Sequence, residues 1–238
     1  MNAKVSWRFV AVAAVFITCL ITANIVAVKL ISIAGLVLPA AIIIFPLSYI
    51  FGDILTEVYG YRAARRVIWL GFACNLIAVL GIWLGGLLPA ADFWEEQSSY
   101  QAILGYTPRL LIASFAAYLI GEFANSYVLS RMKVKTGGRW LWTRTIGSTV
   151  VGQGLDSAVF IVIAFAGTPW FVPVSILHHW LVKTGYEAVA TPFTYAIVGY
   201  LKRKEGIDIY DRDTNFNPLG FRWNVFTKGW KRLTGASG

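Results

Sequence analysis

Charged residues are scarce in this 238-residue chain, where they make up 14% of the sequence and hydrophobic residues make up 57%. A soluble domain carries roughly 25% charged residues and about 45–50% apolar ones. The shortage of charge therefore excludes an ordinary soluble protein and indicates an integral membrane protein. The net charge is +9, but the basic residues lie between apolar runs and in the C-terminal segment. That placement predicts contact with the lipid bilayer and its anionic headgroups, and no nucleic acid partner.

Cysteine and catalytic motifs are also sparse. Cys19 and Cys74 both lie inside apolar runs, so they do not predict a disulfide framework, and we assign them no role. The chain contains no HExxH, GxSxG, Walker A or GxGxxG motif and no pair of histidines at metal-binding spacing. We therefore expect no enzyme activity, no metal and no other cofactor. The first apolar run, at 9–28, exceeds the about 7–15 residues of a signal-peptide core, so we expect a retained helix.

Six apolar runs have the length of a spanning helix, which needs about 20 mainly apolar residues. They predict helices at about 9–28, 36–58, 67–88, 110–130, 146–166 and 172–201. The expected fold class is an all-α integral membrane protein, a bundle of six transmembrane helices within residues 1–201. Residues 202–238 form a polar tail, predicted to be cytoplasmic and suited to lie along the membrane surface.

Basic loops alternate with loops that are acidic or uncharged. The basic residues cluster at the N-terminus, after the second and fourth runs, and at the start of the tail: Lys4, Arg8, Arg62, Arg65, Arg66, Arg131, Lys133, Lys135, Arg139, Arg144, Lys202, Arg203 and Lys204. The segments 90–108 and 167–173 between them are nearly free of positive charge. By the positive-inside rule, the N and C termini are both cytoplasmic.

The segment FPLSYIFGDILTEVYGYRAARR ends the second run with two acids and three arginines. Asp53 and Glu57 are four residues apart, so they share one face of a helix. We interpret Asp53, Glu57, Arg65 and Arg66 as a gate or coupling group. An equally weighted alternative is that the two acids pair with the arginines and only fix the end of the helix.

Two further acids lie deeper in apolar runs. Glu122 and Asp156 have no cation three or four residues away, but each has an amide three residues away, Asn125 and Gln153 respectively. A carboxylate beside a carboxamide suits a planar heterocycle, because the acid accepts adjacent N–H donors and the amide serves the remaining edge. The alternative is a polar network satisfied between helices.

Lys183 and Glu187 form an i, i+4 pair in the last run. They either neutralise one another or join the same polar site. Since no filter segment of a channel and no enzyme motif is evident, the buried polar residues favour carrier-type transport of a small polar molecule.

Several segments resemble the bacterial queuosine-precursor transporter family, also called the vitamin uptake transporter family. They include FPLSYIFGDILTEVYGYRAARRVIW, ASFAAYLIGEFANS, RTIGSTVVGQGLDS, KTGYEAVATPFTY and LKRKEGIDIYDRDTNFNP. The motifs DILTEVYG and RTIGSTVVGQGLDS are the most specific, and the resemblance extends from about Asn24 to Pro218. Residues 219–238 match nothing in the family.

The resemblance implies a multi-pass protein of the bacterial inner membrane. Family members import 7-cyano-7-deazaguanine and 7-aminomethyl-7-deazaguanine, precursors for queuosine modification of tRNA. We expect import by alternating access, with a 7-deazaguanine bound by the polar residues inside the membrane. The predicted substrate-binding residues are Glu122, Asn125, Gln153, Asp156, Lys183 and Glu187.

Two other functions remain open from the sequence. The chain could be a substrate-binding membrane subunit for a vitamin or nucleobase that requires an external ATP-driven energising module. It could also be a membrane enzyme or scaffold that binds no deazapurine. Six helices provide little wall around a central site, which is compatible with a homodimer, although no residue specifies one.

Overall fold

The computed structural model describes residues 6–33, 36–105, 108–168 and 171–220. Within these ranges the chain is almost entirely helical. The helices are α1 (Trp7–Val26), α2 (Phe45–Tyr59), α3 (Tyr61–Leu87), α4 (Gln97–Leu104), α5 (Pro108–Lys135), α6 (Leu141–Phe165) and α7 (Val174–Glu205). A short antiparallel hairpin of β1 (Leu30–Ile33) and β2 (Leu36–Pro39) follows α1, and a 3-10 helix (Ala40–Ile43) leads into α2.

Five segments of the described chain are long and apolar enough to cross a membrane. They are Trp7–Val26, Ala40–Tyr59, Tyr61–Leu87, Gln97–Lys135 and Leu141–Phe165. The sixth predicted span corresponds to α7, which has 32 residues but includes several charged and polar side chains. The prediction of a helical membrane protein is confirmed, whereas the number of spans and the side on which the termini lie remain predictions.

The prediction of one continuous helix over 36–58 is wrong at its start. Leu36–Pro39 forms strand β2, and α2 begins only at Phe45. An apolar run of this length has no periodicity that separates a strand from a helix, and a proline at position 39 cannot donate to a helical ladder. Pro46 is tolerated because it lies in the first turn of α2, where a backbone N–H has no helical partner.

Several basic residues that the sequence assigned to loops lie inside helices instead. Gly60, at φ 80, is the only residue between α2 and α3, so Arg62, Arg65 and Arg66 belong to the first turns of α3. Glycine is favoured there because other residues rarely adopt a positive φ. Hydropathy identifies only the apolar part of a helix. The helix itself extends further, and its additional turns carry the charged residues.

Helix α2 lies at the centre of the bundle and packs against α1, α3, α5 and α7. Its side chains are mostly buried, and its apolar ones join a core with α1 and α3 that includes Phe16, Ile54 and Ile68. Helices α5 and α6 form the most extensive helix pair, and α7 packs against α6 and α2.

The two ends of the bundle differ in what they hold. Ser6 Oγ donates to Glu205 Oε1 at 2.6 Å, so the start of α1 and the end of α7 lie at the same end. We call this the terminal end of the bundle. The hairpin and the start of α2 lie at the opposite end, which we call the hairpin end.

Residues 206–220, which we call the tail strap, return to the terminal end of the bundle. Asp211 accepts from the backbone N–H of Tyr61 at 2.8 Å and from Ser130 Oγ at 2.7 Å. The Tyr61 hydroxyl donates to the carbonyl of Phe216 at 2.8 Å. The predicted tail at 202–238 is corrected at its start, since α7 continues to Glu205. That the segment lies along the membrane surface stays a prediction, and residues 221–238 lie outside the described chain.

Candidate functional site

A polar cluster lies in the middle of the bundle, where α2, α5, α6 and α7 meet. We call it the central cluster, and its members are Tyr49, Asp53, Glu122, Asn125, Thr149, Gln153, Asp156, Lys183 and Glu187. All are buried except Lys183, which is partly buried. The fold thus brings together the six residues predicted to bind substrate, together with Asp53 from the predicted gate.

Three glycines allow α2, α5 and α6 to approach one another at this level. A Cβ at Gly52 would lie 3.0 Å from Glu122 Oε2, and one at Gly121 would lie 2.5 Å from the Tyr49 hydroxyl. A Cβ at Gly152 would lie 2.7 Å from the Cβ of Asn125. Small residues let helix backbones pack closely in membranes, and here they bring polar side chains of neighbouring helices within reach.

The ion pair of the central cluster differs from the expected one. Lys183 Nζ lies 2.5 Å from Asp156 Oδ2 on α6 and 4.3 Å from the centroid of the Phe45 ring. The alternative in which Lys183 and Glu187 neutralise one another along α7 is therefore wrong. Asp156 has no cation three or four residues away on α6, but tertiary packing supplies one from α7.

The two predicted acid–amide pairs are also rearranged. Asn125 Nδ2 donates to Asp53 Oδ1 at 2.7 Å, so this amide serves α2 instead of Glu122. Within the described chain, the two carboxyl oxygens of Glu122 and the two amide atoms of Gln153 are buried without a hydrogen-bond partner. The acid and the amide that lack a hydrogen-bond partner are therefore Glu122 on α5 and Gln153 on α6.

Unpaired buried polar atoms are concentrated in this cluster. Besides Glu122 and Gln153, the described structure leaves unpaired Tyr49 Oη, Asp53 Oδ2, Asn125 Oδ1, Thr149 Oγ1 and Glu187 Oε2. Leaving a buried donor or acceptor unpaired costs about 1–3 kcal/mol. A group of such atoms, both donors and acceptors, is suited to a polar ligand that would satisfy several of them at once.

A cleft connects this cluster to the hairpin end. Its lining combines apolar and aromatic side chains with a few polar ones. They include Phe45, Tyr118 and Phe160 together with Asn24, Ser114, Asp156, His179 and Lys183. Aromatic walls with a small number of polar groups at the base are typical of sites for small molecules. The Asp156–Lys183 pair lies on the lining, at the point where the cleft meets the cluster.

A second polar group lies around Glu57, toward the terminal end. Glu57 Oε1 lies 2.7 Å from Arg144 Nη2, 2.6 Å from Lys202 Nζ and 3.7 Å from Lys133 Nζ. Lys133 and Lys202 also contact Asp208 Oδ1, at 2.5 and 2.9 Å. We call these five residues the Glu57 cluster. It joins α2, α5, α6, α7 and the tail strap.

Burial alone would raise the pKa of the Asp208 carboxyl, which is the only member of the Glu57 cluster outside a helix. Hydrogen bonds from Lys133 and Lys202 and their positive charges outweigh that effect. The pKa of Asp208 is consequently lower than that of an ordinary aspartate, and the carboxylate stays available to hold the strap.

The arginines assigned to the predicted gate do not reach its acids. Arg65 donates to the carbonyls of Asn215 and Asn217 in the tail strap, at 3.2 and 2.9 Å, and Arg66 is exposed. The turn at Gly60 directs α3 away from the end of α2, so these side chains face the strap. The alternative in which they pair with Asp53 and Glu57 is therefore wrong.

Some residues of both clusters were missed by sequence reasoning. Tyr49 and Thr149 carry no charge and lie in apolar runs, so nothing marks them before the helices are packed. Lys133 and Arg144 were counted only as positive charges of a loop. The glycines Gly121 and Gly152, each beside or near a polar residue, were the available signal of a close helix contact.

The chain matches a family model described as "Putative vitamin uptake transporter" over residues 39–197. A "Probable queuosine precursor transporter" of Bacillus subtilis is 29% identical over 184 residues, covering 74% of this chain and 78% of the relative. A "Queuosine precursor transporter" of Escherichia coli is 28% identical over 138 residues, 58% of each protein. A "Probable queuosine precursor transporter" of Haemophilus influenzae is 28% identical over 122 residues, 51% of this chain and 49% of the relative. No solved structure matches the chain with comparable significance.

Proposed function

Since this chain belongs to the vitamin uptake transporter family, we propose that it imports a queuosine precursor across the bacterial inner membrane. The substrate is a 7-deazaguanine, either the 7-cyano or the 7-aminomethyl form, which supplies queuosine modification of tRNA. The observation that carries the proposal is the unpaired carboxyl group of Glu122 together with the unpaired amide of Gln153, both buried in the central cluster. Two other members of this cluster, Asp156 and Lys183, line a cleft with aromatic walls.

The chemistry of a 7-deazaguanine complements these two groups. Its N1–H and 2-amino group lie side by side, so both can donate to the two oxygens of Glu122. Its O6 carbonyl accepts from the amide nitrogen of Gln153, and Phe45 and Phe160 offer faces for the flat ring.

The substituent at position 7 is assigned to the Asp156–Lys183 pair. A nitrile accepts a hydrogen bond from the Lys183 ammonium, whereas an aminomethyl cation is attracted by Asp156. Asn125 and Glu187 complete the proposed substrate-binding set, with Asn125 acting through its bond to Asp53.

Transport follows by alternating access around the central cluster. The cleft leads to the hairpin end, and the Glu57 cluster joins four helices and the tail strap toward the terminal end. With the predicted cytoplasmic termini, the Glu57 cluster is the inner gate. The cavity volume of about 110 Å³ is below the roughly 300–1,000 Å³ of small-molecule sites, so the helices must separate to admit substrate.

Uptake by the purified protein in liposomes tests the proposal. We expect uptake of labelled 7-cyano-7-deazaguanine without ATP, which a subunit that requires an energising module would not show. Glu122→Gln should lower uptake at limiting substrate at least roughly tenfold, because one strong acceptor becomes a donor. Glu95→Gln, an exposed acid before α4, is the matched control.

Normal uptake in both Glu122→Gln and Asp156→Asn would overturn the site assignment. Absence of binding to either deazaguanine would overturn the proposed substrate, and would revive a membrane enzyme or scaffold.

A further inference from the structure

The acids of the central cluster outnumber the cations that reach them. Asp53, Glu122, Asp156 and Glu187 are all buried, and Lys183 is paired with Asp156. The cations nearer the terminal end are bonded to Glu57 and Asp208, as Lys133, Arg144 and Lys202. Within the described chain, three acids of the cluster are therefore left without a cationic partner.

Two of these three acids face each other directly. The Asp53 side chain on α2 is close enough to hydrogen-bond with the Glu187 side chain on α7. Their exposed fractions are 0% and 1%, so water does not screen the contact. One oxygen of Asp53 accepts from Asn125, which leaves the other oxygen without a donor.

The other helices do not compensate a double negative charge at this contact. Helix α5 brings Asn125 and a further acid, Glu122, while α6 brings the Thr149 hydroxyl beside Glu187. Helix α1 contributes apolar side chains such as Phe16 at this level. The basic residues of α1 and α3 contact Glu205 or the tail strap, or are exposed.

A carboxylate can only accept hydrogen bonds, so two ionised carboxylates in contact repel one another. When one of them carries a proton, the same contact becomes a hydrogen bond and half the buried charge disappears. Ionisable residues inside a membrane often form proton pathways for this reason.

We propose that Asp53 and Glu187 share one proton and that this proton is carried with the substrate. The proposal rests on the proposed import function, which it extends by naming the driving ion. The proton enters from the hairpin end, binds between the two carboxyl groups, and leaves at the terminal end as both return to carboxylates. No bond other than the O–H bond is made or broken.

The position of the pair explains how proton release would act on the gate. Helices α2 and α7 meet at Asp53–Glu187, and they are joined again at Glu57–Lys202 toward the terminal end. Loss of the proton leaves two anions in contact and pushes α2 away from α7. That separation strains the Glu57–Lys202 contact and favours opening at the terminal end.

Infrared spectroscopy tests the shared proton without requiring transport. At neutral pH, the protein should show a protonated carboxyl band that persists in Glu122→Gln and in the control Asp92→Asn. The double variant Asp53→Asn with Glu187→Gln should lose that band. A spectrum of this double variant identical to that of the parent in the protonated carboxyl region would overturn the proposal.

Liposome uptake tests the coupling. An inward proton gradient should drive accumulation of 7-cyano-7-deazaguanine at least several-fold and acidify the lumen together with substrate entry. In Asp53→Asn, any remaining uptake should no longer respond to the gradient. Uptake by the parent protein that neither responds to the gradient nor moves protons would overturn coupling while leaving the import function intact. Failure to take up the substrate at all would count against the import function, and the infrared result would still decide whether the proton is shared.

Discussion

The two polar clusters of this bundle contain similar residues but differ in how their charges are matched. Glu57 is surrounded by three cations, two of them within 2.7 Å of its Oε1, with an additional acid from the tail strap. The central cluster has four acids for one lysine, and many of its polar atoms are unpaired. The first arrangement stabilises one packing of the helices, whereas the second leaves binding capacity for something else. Conservative substitutions should therefore act in opposite directions in the two clusters.

The largest effect is expected in the Glu57 cluster. Glu57→Gln leaves the buried Arg144 and Lys133 without their carboxylate, and breaking a buried pair from one side costs about 3–5 kcal/mol. Thermal unfolding in detergent should show a correspondingly large loss of stability. Glu95→Gln should leave the transition unchanged. A normal transition in Glu57→Gln would show that the cluster does not hold the helices together.

Replacing a glutamate by glutamine in the central cluster should not destabilise the protein, in contrast to the same replacement at Glu57. Glu122→Gln removes a buried acid that has neither a cation nor a donor in the described chain, so the free energy of unfolding should stay the same or increase. Affinity for 7-cyano-7-deazaguanine, measured by calorimetry, should fall about tenfold to a hundredfold. A large loss of stability with normal affinity would make Glu122 a structural residue and remove the contrast between the clusters.

A smaller effect should separate the two candidate substrates. Lys183→Met removes the donor proposed for the nitrile and leaves Asp156 free for the aminomethyl cation. The ratio of affinities should shift about tenfold toward 7-aminomethyl-7-deazaguanine, and Asp156→Asn should shift it the other way. Competition binding with both compounds measures this ratio. Equal losses for both compounds would place the 7-substituent elsewhere.

The smallest effect concerns pH and the tail strap. Because Lys133 and Lys202 keep the pKa of Asp208 below its usual range, its contribution is present at neutral pH and is lost as the pH falls through that lowered pKa. Asp208 is partly exposed, so we expect at most about 1 kcal/mol. The amide of Ile209 bonds to the carbonyl of Val58, and its protection from hydrogen exchange, measured relative to the intrinsic exchange rate at each pH, should fall on acidification.

Asp208→Asn should exchange faster at neutral pH and lose most of that acid dependence. Asp213→Asn, an exposed acid in the same strap, is the control. An unchanged pH profile in Asp208→Asn would show that Asp208 does not hold the strap, and would leave its attachment to Asp211 and to the contacts of Tyr61 and Arg65.

Helical membrane character was predictable because apolar side chains must cover the length of each span. The hairpin at Leu36–Pro39 was not, since the same apolar residues suit a strand and a helix. The depth of polar residues within apolar runs was enough to predict which of them form the central cluster. It was not enough to predict which side chains they contact. Lys183 and Glu187 share a helix face, yet one bonds to α6 and the other meets α2, because the neighbouring helices decide which acid each side chain reaches.

The partners of Glu57 also have a consequence for biosynthesis. Lys133, Arg144 and Lys202 follow Glu57 by 76, 87 and 145 residues. At a synthesis rate of roughly 5–20 residues per second, their arrival is separated from that of Glu57 by about 4 to 30 seconds. Until Lys133 has been made, α2 has no native cation for this acid, and Lys202 is added only with the end of α7. The three cationic partners of Glu57 on α2 are thus all present only when α7, the last helix, has been made.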